Sequence, residues 1–120
     1  MNSQLLKNIQ TLLKTKDESA YLMIDFLPFY IQLSRGTAPN KIYLQSPGNA
    51  HIKKDKQLSD SKVEEMLKVG LTLHEKSKDF VKEFTTPTDT AQIIADTIEK
   101  MIPIYGGNSA KLDMDLVLDD

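Results

Sequence analysis

Cysteine is absent from the 120-residue chain, which removes disulfides, thiolate nucleophiles, iron–sulfur clusters and cysteine-based zinc sites together. Arginine occurs once, at Arg35, so almost all of the 15 basic residues are lysines and the side chain best suited to phosphate forks and base edges is nearly missing. Nucleic acid is therefore not an expected partner. Long apolar runs are missing too: no stretch approaches the ~18 residues a spanning helix needs. The opening Met1-Asn2-Ser3-Gln4-Leu5-Leu6-Lys7 lacks the basic-then-apolar layout of a signal peptide. The expectation is a cytoplasmic protein with no membrane partner. Five glycines and five prolines are too few for a collagenous or low-complexity chain. What remains is ordinary globular composition, 40% hydrophobic and 27% charged with net charge −2, at a length suited to one domain spanning residues 1–120.

Periodicity divides the chain. Ser3 is a candidate cap for a first helix whose apolar positions Leu5, Leu6, Ile9, Leu12 and Leu13 follow the 3.6-residue repeat. Tyr21–Phe26 and Phe29–Ser34 then read as two strands turned at Leu27-Pro28. A tight antiparallel register sets Phe26 opposite Phe29, Ile24 opposite Ile31 and Leu22 opposite Leu33, all on one face. After a polar connector, Arg35 to Asn40, a third strand from Lys41 to Gln45 adds Ile42 and Leu44 to that face. The stretch to Leu58 reads as edge or loop, and Ser59 caps a short second helix that carries Val63, Met66 and Leu67 and closes at Gly70. Leu71 with Leu73, and Phe80 with Phe84, mark two short strands. Pro87 is expected in the first turn of a last helix lined by Ala91, Ile94, Ala95, Ile98, Met101 and Ile102, with Pro103 ending it. Leu112 to Leu118 alternates apolar with acidic residues, which suits a last strand, with a tail as the alternative. The fold class is α+β: an antiparallel sheet with helices on one face.

Chemistry-bearing motifs are scarce. His51 and His74 have no Asp, Glu or His at close helical spacing, so both read as solvated or structural. No Gly-x-Ser-x-Gly elbow and no phosphate-binding glycine loop occurs, and Gly106-Gly107 reads as a turn after a helix. Asp113, Asp115, Asp119 and Asp120 lack the glycine and distal Glu of a calcium loop, and Lys53-Lys54-Asp55-Lys56 reads as solvated surface. No catalytic residue, cofactor or metal ligand is assigned. The opposite face of the first three strands is more informative: it carries Tyr21, Met23, Asp25, Tyr30, Gln32, Tyr43 and Gln45. Tyrosine, methionine and glutamine together suit burial against a peptide backbone with polar tips free to hydrogen-bond. Tyr21, Met23, Tyr30, Gln32, Tyr43 and Gln45 are the candidate partner-binding residues. The alternative is that tyrosine is there for its strand preference alone.

The element order α-β-β-β-α-β-β-α, with local runs inside it, resembles the type III secretion chaperone-like fold. The runs are Phe29-Tyr30-Ile31-Gln32-Leu33, Gly48-Asn49 after the next strand, Leu58-Ser59 opening a helix that ends Leu67-Lys68-Val69-Gly70-Leu71, and the Ala91-bearing helix through Ile98 to Tyr105-Gly106. They are similar to the branch that groups those chaperones with YbjN-like proteins, the TY-Chap superfamily, over about residues 20 to 106. Where that family commonly has an aromatic residue after the helix-closing glycine, this chain has Leu71. The resemblance implies a bacterial, non-enzymatic, chaperone-like domain, often a homodimer, that holds a peptide or an incompletely folded protein partner. A second expectation is a small immunity protein that blocks a toxin's active site with acidic groups such as Asp113 and Asp115. A small hydrolase or transferase is third.

Overall fold

Alternating burial along three neighbouring strands organises the molecule. The structure, a computed structural model, describes residues 2–26, 28–35 and 40–118. Strands β1 (Tyr21–Phe26), β2 (Phe29–Ser34) and β3 (Lys41–Ser46) bury Leu22, Ile24, Phe29, Ile31, Leu33, Ile42 and Leu44 on a single side. The β1–β2 register is the expected one, from Tyr21 opposite Ser34 to Phe26 opposite Phe29. Phe26 is half-buried and packs on the core from its margin. Leu27, where the hairpin turn was expected, and residues 36–39 of the connector lie outside the described residues.

Helix α1 (Ser3–Lys14) precedes the sheet and buries Leu5, Ile9 and Leu12. Its cap is Asn2 rather than Ser3. The Asn2 Oδ1 accepts the Leu5 amide at 3.0 Å, while its Nδ2 donates to the Ser109 carbonyl at 2.8 Å and its backbone amide to Glu99 Oε1 at 2.7 Å. Asn supplies a donor as well as the capping acceptor, which lets one residue cap the helix and tie it to the far end of the chain.

Between β3 and the next helix the backbone makes two 3₁₀ turns, Asn49–His51 and Lys54–Lys56. Asn49 clamps the peptide of Leu58 from both sides, accepting its amide at 2.8 Å and donating to its carbonyl at 2.9 Å. Ser59 then caps helix α2 (Asp60–Val69) as expected. Gly70 closes it at φ +113, with the Gly70 amide on the Leu67 carbonyl and the Leu71 amide on the Met66 carbonyl. That pair of bonds is a Schellman ending, and it places Leu71 and Met66 together in the core. Leu67, expected on the apolar stripe, is 47% exposed because this short helix packs through Met66, one position round its axis.

Strand β4 is only Thr72–Leu73, both exposed, and β5 (Phe80–Thr85) buries Phe80 and Phe84. Helix α3 (Ala91–Ile104) differs from the expected element at both ends. Thr90 is the cap, its hydroxyl accepting the Ile93 amide at 3.3 Å, and Pro87 sits before the helix in a turn that Asp89 braces by accepting the Thr85 amide at 2.9 Å. Pro103 lies inside the last turn rather than ending it. The stop comes at Gly106, φ +88, whose amide reaches the Pro103 carbonyl while that of Gly107 reaches Ile102, a second Schellman ending. Strand β6 (Asp113–Val117) completes an antiparallel six-stranded sheet of order β4-β5-β3-β2-β1-β6. Among the described residues, no helix is long and apolar enough to cross a membrane.

Candidate functional site

Because side chains alternate across a strand, the register that buries the core set must turn the other set to the opposite face. Cross-strand pairing lines those side chains into rows. One runs Glu83, Tyr43, Ser34, Tyr21, Val117, and the next Val81, Gln45, Gln32, Met23, Asp115. A third brings Tyr30 beside Asp25 and Asp25 beside Asp113. Tyr21, Met23, Tyr30, Gln32 and Tyr43 are half-buried there and Gln45 is exposed, so the structure gathers all six candidate residues onto one uncovered face.

One corner of this face is built from polar groups that sequence spacing did not link. Asp79 is only 6% exposed, yet its Oδ2 accepts the Gln45 amide at 2.7 Å and its Oδ1 lies 3.6 Å from His51 Nε2. His51 Nε2 also meets the Ser77 carbonyl. Burial, and secondarily the Asp79 charge, push the Tyr30 hydroxyl above the ordinary phenol range. His74 serves the same corner from the chain's turn, its Nδ1 receiving the amides of Lys76 at 3.2 Å and Ser77 at 3.1 Å. Both histidines thus have partners that are distant or local backbone groups, which helical spacing rules do not detect.

His51 paired with a buried carboxylate resembles half of an acid–base relay, and an open cleft of about 610 Å³ lies beside it, lined by Pro28, Ile52, Lys53, Asp55 and Lys56. The pairing occupies Nε2, and among the described residues no hydroxyl is hydrogen-bonded to the other ring nitrogen. Among the described residues the arrangement shows no nucleophile-to-base contact at this histidine. Nor is there, among the described residues, a group of three acidic or histidine side chains placed to hold a metal ion.

Tyr105 supports the face from behind, and the sequence reading, which named it only within the run to Gly106, gave it no role. It is 5% exposed, stacks on Phe29 at 4.6 Å and tilts against Phe26 at 5.7 Å. Its hydroxyl donates to the Pro47 carbonyl at 2.7 Å and lies 2.6 Å from the Ser46 hydroxyl, which in turn reaches the Tyr30 carbonyl at 2.9 Å. This chain of contacts joins the end of α3 to the backbone of the residue that carries the Tyr30 ring. Burial raises the Tyr105 phenol well above its ordinary range, Tyr30 and Asp79 add to the shift, and the Ser46 hydrogen bond opposes it.

Comparison with known proteins finds no matching family model, no matching curated protein and no matching solved structure.

Proposed function

We propose that this chain is a non-enzymatic binding module that holds an extended or incompletely folded protein segment against its open sheet face. The observation that carries the proposal is the convergence of Tyr21, Met23, Tyr30, Gln32, Tyr43 and Gln45 on one uncovered surface. Half-buried tyrosines offer apolar area with a hydroxyl at the rim, methionine adapts to irregular shapes, and the two glutamines present both donors and acceptors to a peptide backbone. A rigid sheet supplies the platform at little ordering cost to the module itself. Membership of the TY-Chap superfamily and a homodimeric state belong to the same proposal, supported by the element order and the runs quoted above, and a cytoplasmic location is proposed with them.

A second reading, inhibition of a toxin by a small acidic protein, draws on the placement of Asp25 directly across from Asp113, with Asp115 two residues along the same strand. It predicts a folded enzyme as partner instead of an extended segment. The deciding experiment measures melting and partner binding on the same two variants, Tyr30→Ala and Tyr43→Ala. The expected outcome is nearly unchanged melting with association weakened by ~1–2 kcal/mol for an anchoring tyrosine. Melting losses of ~3–5 kcal/mol in both would show that the rings serve the core, and the proposal would fail.

A further inference from the structure

The two ends of the sheet are treated differently by the fold. At one edge β4 offers two residues, which is too short to template another strand. At the other, β6 pairs with β1 through five consecutive positions, Asp113 to Val117, with no bulge and no proline. Its outer side meets no further strand. In an antiparallel ladder, alternate residues of an edge strand direct their amide and carbonyl groups away from the sheet. Charged side chains, proline, covering structure and irregular pairing are the usual protections of such an edge; β6 has a regular ladder and no proline, and its charges, Asp113 and Asp115, are of one sign, which turns away acidic strands but not basic ones.

We propose that β6 is a strand-addition edge for a segment in which lysine or arginine alternates with apolar residues. The inference rests on the reading that the partner is an extended segment, and adds where it enters and what it carries. Met114 and Leu116 lie in the rows of Ile24 and Leu22 and are half-buried against the core, and Leu118 just beyond is 37% exposed. An added strand would extend those rows with its apolar set. On the other side its alternate residues would lie beside Asp113 and Asp115, which are exposed and whose carboxylates have neither hydrogen bond nor ion pair among the described residues. Asp25 stands directly across from Asp113. Three carboxylates on neighbouring strands favour a cationic neighbour, and opposite charges on facing strand positions are stabilising where like charges are not. Lys56, Lys62 and Lys111, with Asp55, line the cleft beside Asp25 and Asp113, at the hairpin end of this edge, while Asp115 and the sequence beyond it to Asp120 carry no base.

The same arithmetic disfavours a fully overlapped second copy on this edge. The antiparallel register of β6 on itself that overlaps all five residues sets Asp115 opposite Asp115, and a shift of two residues one way sets Asp113 opposite Asp115, whereas the same shift the other way sets Asp115 opposite Val117. A basic segment removes the repulsion of the fully overlapped register, and a copy of the chain does not.

The test uses the full chain and two synthetic ten-residue peptides, one alternating lysine with valine and leucine, the other with glutamate in place of lysine. The expected result is binding of the lysine peptide at least tenfold tighter than the glutamate peptide, weakening with added salt. Amide exchange should slow at residues 113–117 in the complex. The double variant Asp113→Lys/Asp115→Lys, altered only at exposed positions, should melt like the parent and reverse the preference. Equal affinity for both peptides, no binding of either, or an unchanged preference in the double variant would overturn the inference. So would a self-associated form of the wild-type chain that protects the amides of residues 113–117. If the lysine peptide is lost in Tyr30→Ala and Tyr43→Ala but not in the charge-reversed variant, the open-face reading stands and this one falls.

Discussion

Removing the Tyr105 hydroxyl while keeping its ring isolates one set of contacts. Three contacts meet there: Tyr105 hydroxyl to Pro47 carbonyl, Tyr105 hydroxyl to Ser46 hydroxyl, and Ser46 hydroxyl to Tyr30 carbonyl. The two hydroxyls carry two protons between them, so one proton is shared. In Tyr105→Phe, Ser46 keeps the Tyr30 carbonyl as its acceptor and the stacking on Phe29 persists, but the Pro47 carbonyl loses its donor. An unpaired buried polar group costs ~1–3 kcal/mol. At this chain length that corresponds to a fall in Tm of roughly 3–15 °C. Tyr105→Ala also removes the ring from its contacts with Phe26 and Phe29, and large-to-small aromatic truncations cost ~3–5 kcal/mol. Chemical denaturation of the two variants beside the parent reads both numbers. A Tyr105→Phe protein as stable as the parent would refute the claim that these hydrogen bonds hold α3 to the sheet, and equal losses in the two variants would refute the contribution of the stacked ring.

The same residue predicts a pH dependence: its folded-state pKa lies above the unfolded value of about 10, so the unfolded chain releases its proton first. Stability should be flat with respect to this group below pH ~10 and fall above it, and denaturation curves at alkaline pH should show a smaller fall in Tyr105→Phe. Ile31→Asp should leave the chain unfolded by circular dichroism, because Ile31 is fully buried and an unpaired buried carboxylate costs several kcal/mol against a total of roughly 5–15. Gly48→Ala should lower Tm, since the new Cβ falls 2.1 Å from the Lys78 carbonyl oxygen and backbone must move, at ~1–3 kcal/mol or more.

Legibility in the sequence followed the range of the interaction. The β1–β2 register was readable because two short alternating runs joined by a tight turn admit one pairing that keeps Leu22, Ile24, Ile31 and Leu33 together. Gly70 and Gly106 were readable because a positive φ after a helix has few occupants. The α3 boundaries were not: Pro87 and Pro103 both suit a helix end by local rules, and the choice fell to the Thr90 cap and the Gly106 stop. Nothing local reveals that Asp79 meets Gln45 and His51, that Tyr105 reaches Ser46, or that β6 lands beside β1, since each depends on segments far apart in the chain. The candidate face itself was readable, being the complement of the core set.

The central claim is that the Tyr30 and Tyr43 side of the sheet meets a partner, and photo-crosslinking in the native cell tests it most directly. A photoreactive phenylalanine analogue is placed at Tyr43 and, as a control, at exposed Lys100 on α3. The account predicts a discrete protein adduct from position 43 that disappears when Tyr30→Ala is added, and none from position 100. No adduct at position 43, or equal adducts at both positions, would contradict it.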